Sequence, residues 1–150
     1  MDKIALGAEQ LLKIAAEHAY CAEHLLKQHG EIRIDEELTI DALLPITTLM
    51  YQTFELTLKA FLIHQFRQIN QYKTLFELVE LNSELGLSKA DIQLINKLSR
   101  QQGFRKGVDY ALWENRQQLQ VFCEDIMALY IRILDIMPLE LSEQYRSDSK

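Results

Sequence analysis

Hydrophobic residues recur every three or four positions along most of the chain, which is the spacing of one face of an α-helix. The first such stripe predicts a helix from about residue 2 to residue 28, with Gly30 positioned to cap its C-terminal end. Because His18 lies on that stripe, we interpret it as a hydrogen-bonded histidine of the core or of an interface. The stripe consists of Ile4, Ala8, Leu11, Ala15, His18, Ala22 and Leu25.

The most apolar segment spans residues 41–66 and predicts a central helix that continues to about Arg67. Asp41 is suited to cap the start of this helix, and Pro45 is tolerated only near that start. A helix this apolar must pack against other elements on several sides, because its side chains are otherwise exposed to water. Its polar residues nevertheless fall along one side at helical spacing and are Gln52, Glu55 and Lys59.

The second half of the chain predicts three more helices. A short one contains Leu75 to Leu81 and stops near Gly86, and Ser88 with Asp91 forms a capping-box pattern that opens the next. The last helix ends at Pro138, and its apolar positions have near-heptad spacing. Those positions are Leu119, Phe122, Ile126, Leu129, Ile133 and Ile136.

These elements predict an all-α fold, an antiparallel bundle of three long and two short helices. Only five glycines and two prolines occur, which favours long helices over many short strands. Residues 31–40 form a polar connection with enough alternation to hold a short extended piece. We expect one helical domain over residues 1–138 and a fraying polar tail over residues 139–150.

Composition and charge exclude several classes of function. The formal net charge is −6, whereas general nucleic-acid coats and anionic-membrane binders need a broad positive surface. Cys21 and Cys123 both lie within helical apolar patterns, so we expect two reduced, buried thiols. No apolar run has membrane-spanning length and the N-terminus lacks a signal-peptide pattern, so we expect a cytoplasmic protein.

Patterns for metal or nucleophilic chemistry are missing from the sequence. No histidine has a glutamate three residues before it, and the cysteines and histidines do not cluster as zinc ligands do. The sequence contains neither the P-loop motif GxxxxGK[ST] nor the dinucleotide-binding motif GxGxxG, the two glycine-rich motifs that bind phosphate. We therefore expect no cofactor and no metal.

The segment from Lys97 to Lys106 reverses the local charge of this acidic chain. It carries four basic residues with no acid between Asp91 and Asp109. Basic groups next to aromatic ones can bind a phosphate and stack a base. The alternative is a solvated loop whose arginines pair with surface acids. The basic and aromatic residues concerned are Lys97, Arg100, Phe104, Arg105, Lys106, Tyr110 and Trp113.

Glu55 and Lys59 form an i, i+4 pair in the favourable orientation. On an exposed helix such a pair contributes only about 0.3–0.5 kcal/mol. On a central helix we expect them to pair with other elements, with Arg100 or Arg105 as the partner of Glu55. That pairing would join the polar side of the second helix to the basic segment.

Three blocks of the chain, taken in order, resemble HEPN domains (higher eukaryotes and prokaryotes nucleotide-binding). They are the long first helix, the apolar second helix with its Glu55-x-x-x-Lys59 pair, and the short helix, turn and helix that lead into the basic, aromatic junction. The resemblance covers most of residues 5–137. It implies a bundle of four or five helices, usually dimeric, that cleaves RNA, binds nucleotides or partners a minimal nucleotidyltransferase.

Catalytic HEPN members carry an arginine followed, after four to six residues, by a histidine. Arg116 stands at the corresponding place, but residues 121–123 are Val, Phe and Cys, so the general acid–base is missing. The resemblance therefore favours a non-catalytic module that binds a nucleotide, RNA or a partner protein such as a nucleotidyltransferase. The alternative is a helical homodimer or adaptor with no small-molecule site, and surplus apolar surface favours a dimer in either case. The candidate ligand-binding residues are Glu55, Lys59, Arg100, Arg105, Lys106, Tyr110 and Trp113.

Overall fold

A computed structural model describes residues 7–65, 74–104, 109 and 112–145 of the chain. The described residues are mostly helical, as predicted, and contain one two-stranded hairpin. The elements in chain order are α1 (Ala8–Lys27), β1 (Glu31–Arg33), β2 (Thr39–Asp41), α2 (Leu43–His64), α3 (Leu75–Leu81), a 3₁₀ turn (Ser83–Leu85), α4 (Lys89–Gly103), α5 (Arg116–Ile136), α6 (Leu139–Ser142) and a second 3₁₀ turn (Glu143–Tyr145).

The first helix begins at Ala8, so the predicted start near residue 2 is wrong. Gly7 has an extended backbone and acts as the N-cap, with its N–H donated to the side chain of Gln10. Small residues on the buried face let α1 approach α2 closely, and Thr53 donates a hydrogen bond to the Ala15 carbonyl at 3.3 Å. The buried residues of α1 are Leu11, Leu12, Ala15, Ala16, Ala19 and Ala22.

Two left-handed residues end α1 and turn the chain into the hairpin. His29 has a φ of 58° and Gly30 a φ of 70°, and the Gly30 N–H returns to the Leu25 carbonyl at 3.0 Å. Gln28 is the C-cap, so the predicted capping residue, Gly30, lies two residues beyond the observed cap. A methyl group on Gly30 would lie 2.5 Å from Leu43, which restricts this position to glycine.

The second helix is central, since it packs against α1, α3, α4 and α5. Its N-cap is Ala42 rather than the predicted Asp41, although the Asp41 carboxylate accepts the Leu43 N–H at 3.0 Å. The helix ends at His64, and the predicted end at Arg67 lies outside the described residues.

The predicted helices α3, α4 and α5 are present, but α3 ends at Leu81, before the predicted stop near Gly86, and α5 ends at Ile136, two residues before Pro138. Gly86 adopts the left-handed conformation after the first 3₁₀ turn, and Ser88 and Asp91 form the predicted capping box. Asp91 also pairs with Arg132 at 3.1 Å, which joins α4 to α5.

The expectation of a fraying tail from residue 139 is wrong for residues 139–145. These residues form α6 and the second 3₁₀ turn, and Leu141 and Ser142 are buried. The Ser142 hydroxyl donates to the Pro138 carbonyl at 3.1 Å. Residues 146–150 lie outside the described part of the chain.

The two cysteines occupy different environments, so the expectation that both are buried is wrong for one of them. Cys123 is buried in α5, but Cys21 is exposed on α1. The buried face of α1 runs through Ala15, Ala19 and Ala22 and leaves Cys21 on the outside.

Candidate functional site

Asp109 and Trp113, which lie between α4 and α5 in the sequence, are both held to α4 by the buried side chain of Gln101. Its amide oxygen accepts a hydrogen bond from the indole N–H of Trp113 at 2.6 Å and one from the backbone N–H of Asp109 at 3.2 Å. All three residues are buried. We call Gln101, Asp109 and Trp113 the α4–α5 junction.

Arg100 belongs to this junction through an ion pair with Asp109. The Arg100 Nε lies 3.4 Å from the Asp109 carboxylate, and the arginine side chain remains 59% exposed. Of the two expected partners of Glu55, Arg100 pairs with Asp109 and Arg105 lies outside the described residues. The exposed guanidinium still faces solvent at the C-terminal end of α4, where a positive charge is favourable.

Trp113 is a core residue of the junction. Only 2% of its surface is exposed, and its ring lies 4.5 Å from that of Phe122 with a 45° tilt. Trp113 also lines a groove of about 310 Å³ between α4 and α5, together with Lys97 and the exposed Val121. A ligand would meet the indole only as part of the wall of this groove.

Three other predicted site residues, Arg105, Lys106 and Tyr110, lie outside the described residues. Their predicted role in binding a ligand stays a prediction. The neighbouring Phe104 is described and is partly exposed at the end of α4.

Glu55 and Lys59 are half-buried on α2, a helix that packs against α4. Tyr51, one turn before Glu55, has its pKa raised above the ordinary value by burial and by the negative charge of Glu55, against a hydrogen bond with Ser99 that lowers it. Ser99 directly precedes Arg100. The structure thus brings the polar side of α2 towards the α4 segment that carries Arg100.

The largest departure from the sequence prediction is the β1–β2 hairpin, which presents an apolar face to solvent. Ile32 pairs with Ile40, and the Ile34 N–H is donated to the Leu38 carbonyl at 2.9 Å. Alternate residues of a strand share a face, so these four side chains lie together. Their exposures are 38% for Ile32, 54% for Ile34, 50% for Leu38 and 45% for Ile40. We call them the hairpin face.

One feature of the sequence indicated this face, namely the alternation of apolar and polar residues in residues 31–40, EIRIDEELTI. That alternation was compatible with a short extended piece, but a paired hairpin was not predicted from it. The turn is built from the Asp35 carboxylate, which accepts the backbone N–H groups of Glu37 and Leu38, each at 2.8 Å. The common sequence signal of a hairpin is a two-residue Asn-Gly or Asp-Gly turn, and an Asx-type turn takes its place here.

Arg116 holds the base of the hairpin to α5. Its guanidinium bonds the Asp41 carboxylate at 2.9 Å and the His29 carbonyl at 3.0 Å. Partial burial opposes ionisation of Asp41, but the hydrogen bonds from Arg116 and from the Leu43 N–H hold its pKa below the ordinary value. The arginine that the HEPN resemblance singled out therefore has a structural role here.

A second open cleft, of about 490 Å³, lies between the start of α1 and α6. The imidazole of His64 lies 3.3 Å from the Glu140 carboxylate at its edge. Among the described residues, no group of three or more histidine, cysteine or acidic side chains could hold a metal ion. None of the described helices is long and apolar enough to cross a bilayer.

Comparisons of this chain with protein-family models, with curated proteins and with solved structures found no match.

Proposed function

We propose that the chain is a non-catalytic, HEPN-like antiparallel helical bundle whose function is to bind another protein chain through the hairpin face. The observation that carries the proposal is the concentration of Ile32, Ile34, Leu38 and Ile40 on one exposed face. Scattered exposed apolar residues are ordinary, but a contiguous group on one face marks an interaction surface.

The way the hairpin is anchored supports this proposal. Arg116 joins the turn at His29 to Asp41 at the end of β2, so both ends of the hairpin are fixed to the helical body. A pre-positioned surface loses less conformational entropy on binding than a mobile one. The same bonds engage the guanidinium that a HEPN nuclease would use, which supports a non-catalytic role.

Site-specific cross-linking in the native cell tests the proposal. A photo-cross-linking amino acid at Leu38 should give a discrete protein adduct, either with another chain or with a second copy of this one. The matched control is the same amino acid at Tyr20, which is 55% exposed on α1 and outside the hairpin face. Absence of an adduct at Leu38, or equal adducts at both positions, would contradict the proposal.

A second candidate function, binding of a nucleotide or an RNA phosphate at the α4–α5 junction, is supported by the groove that Lys97 and Trp113 line. The exposed guanidinium of Arg100 supplies a positive charge on the same helix. In a thermal-shift screen of nucleotides, a ligand at about 100 times its Kd stabilises the fold by about 2.7 kcal/mol. The double variant Lys97→Glu, Arg100→Glu should abolish that shift, and no shift with any nucleotide would remove this candidate.

A further inference from the structure

The outer edge of β1 has backbone groups that point away from β2. The Ile34 N–H bonds the Leu38 carbonyl, and the Ala42 N–H bonds the Gly30 carbonyl. Bonded pairs alternate in an antiparallel ladder, so Ile32 and Ile40 form the bonded pair between these two. The backbone groups of Glu31 and Arg33 therefore face outward, except that the Glu31 N–H is donated to the Gln28 carbonyl.

The charges on this edge are self-complementary in one register. If two copies pair antiparallel about Ile32, Glu31 of each copy lies opposite Arg33 of the other, and Arg33 can donate its N–H to the Glu31 carbonyl across the pair. Centring the pair on Arg33 would place arginine opposite arginine and Glu31 opposite Asp35. Centring it on Glu31 would place glutamate opposite glutamate, and like charges directly opposite are destabilising.

We infer that the partner of the hairpin is a second copy of this chain, joined by antiparallel pairing of the two β1 edges about Ile32. This inference rests on the proposed function and identifies the chain that binds the hairpin. The result is a four-stranded sheet in the order β2–β1–β1–β2, with two Glu31–Arg33 pairs across the seam.

Edge pairing also covers the lateral side of the apolar residues on β1, while the outward side of the hairpin face stays open. In this register Ile32 packs against Ile32 of the second copy, whereas Ile34 lies opposite Gly30 of the second copy and packs diagonally against that isoleucine. The two halves of the hairpin face become one continuous surface. At the other edge, Asp41 at the end of β2 is tied to Arg116, so the two edges of the hairpin are not equivalent.

Cysteine cross-linking tests the register. Ile32 would face Ile32 of the second copy in a non-hydrogen-bonded pair with Cα atoms about 4.5 Å apart, within the roughly 4.4–6.8 Å range of disulfides. In a Cys21→Ser background, which removes the exposed native thiol, mild oxidation of Ile32→Cys should convert most of the protein to a covalent dimer. Ile34→Cys is the matched control, because its two copies would lie about 14 Å apart and should not cross-link.

Charge exchange tests the same register without cysteine. Glu31→Arg alone and Arg33→Glu alone each place like charges opposite, so both variants should be monomeric by sedimentation. An equimolar mixture of the two should form dimers, and so should the double variant Glu31→Arg, Arg33→Glu. Glu36→Arg, in the hairpin turn, is the control and should leave the dimer intact.

The inference is overturned if the single charge variants remain dimeric, if their mixture stays monomeric, or if Ile32→Cys cross-links no better than Ile34→Cys. A Leu38 adduct with a different protein, combined with monomeric wild-type protein, would leave the proposed function standing and remove this inference alone. Absence of any Leu38 adduct, with Ile32→Cys failing to cross-link, would remove both.

Discussion

Gln101 satisfies two buried N–H groups with one oxygen, so we expect Gln101→Ala to destabilise the protein strongly. The variant leaves the Trp113 indole N–H and the Asp109 backbone N–H without their acceptor. Leaving a buried donor unsatisfied costs about 1–3 kcal/mol, so the loss in unfolding free energy should be at least about 2 kcal/mol. Urea denaturation measures it, and Trp113, the single tryptophan, reports the junction by fluorescence.

The neighbouring Gln102 supplies the matched control for this prediction. It is half-exposed on the same helix, so Gln102→Ala should change stability by less than about 0.5 kcal/mol. Equal effects of the two variants would show that the junction does not depend on the Gln101 amide.

The two thiols should differ sharply in reactivity. Burial, with the nearby charges of Glu124 and Asp41, raises the pKa of Cys123 to about 12. The thiolate is the reactive form, so iodoacetamide at pH 8 should label Cys21 and spare Cys123 in the native protein. Mass spectrometry should find both labelled in denaturant, and rapid native labelling of Cys123 would contradict its burial.

Residue roles were predictable only where apolar spacing expresses them. The burial of Phe122 and Ile126 follows from the stripe of α5. The role of Gln101 does not, because a glutamine within a polar segment carries no periodic signal and its partners come from beyond the end of the helix. The role of Trp113 was missed for the same reason. Its position after the basic segment predicted a ligand-binding residue, but its side chain packs inward on Phe122.

At the scale of elements, helices were predictable and the hairpin was not. In an amphipathic helix the apolar residues recur about every 3.6 positions and so mark the buried face, as they do in α1, α4 and α5. Every residue of β1 and β2 is exposed, so no contrast in burial marks the strands. Boundaries were less accurate where a cap decides them, as at Gly7 and Ala42.

The Arg116–Asp41 pair at the base of the hairpin should make stability depend on pH in the acid range. A carboxyl whose pKa is lower in the folded state contributes stability above its unfolded value of about 4, and that contribution is lost as pH falls through the folded pKa. Both side chains are partly exposed, so Asp41→Asn should cost only about 0.5–1 kcal/mol at pH 7.

The difference between Asp41→Asn and wild type should shrink as pH falls below about 4, because both then lack the charge. Urea midpoints at pH 7 and pH 3 measure this convergence. Glu36→Gln in the exposed turn is the control and should match wild type at both values. A constant difference between Asp41→Asn and wild type would mean that the pair adds no pH-dependent stability.

The last helical turn, α6, should be required for full stability despite its length of four residues. Leu141 is 5% exposed and packs in the core, so Leu141→Ala should cost about 2–3 kcal/mol through lost burial and a residual cavity. Leu139→Ala, at a position that is 53% exposed, should cost less than about 0.5 kcal/mol. Thermal denaturation compares the two, and similar melting temperatures would restore the interpretation of residues 139–145 as a tail.

At the scale of the whole molecule, the two candidate surfaces are anchored by α5. Arg116 at its first turn holds the hairpin, and Phe122 one and a half turns later packs on Trp113 of the α4–α5 junction. Sequence spacing predicted the α5 stripe but not these long-range bonds, because Asp41 and Arg116 are 75 residues apart. A change in α5 can therefore affect both surfaces.

The whole molecule should not cleave RNA. The proposed HEPN-like nuclease site would need a histidine after Arg116, whereas Phe122 and Cys123 are buried groups with no acid–base capacity near neutral pH. Arg116 itself is engaged with Asp41 and the His29 carbonyl. We expect single-stranded and structured RNA to stay intact with the purified protein, with and without divalent metal, on denaturing gels.

Arg132→Ala is the matched control, since Arg132 is an ion-paired, 54% exposed arginine of the same helix. Cleavage that Arg116→Ala abolishes and Arg132→Ala retains, with unchanged circular dichroism, would give Arg116 a catalytic role and overturn the non-catalytic assignment.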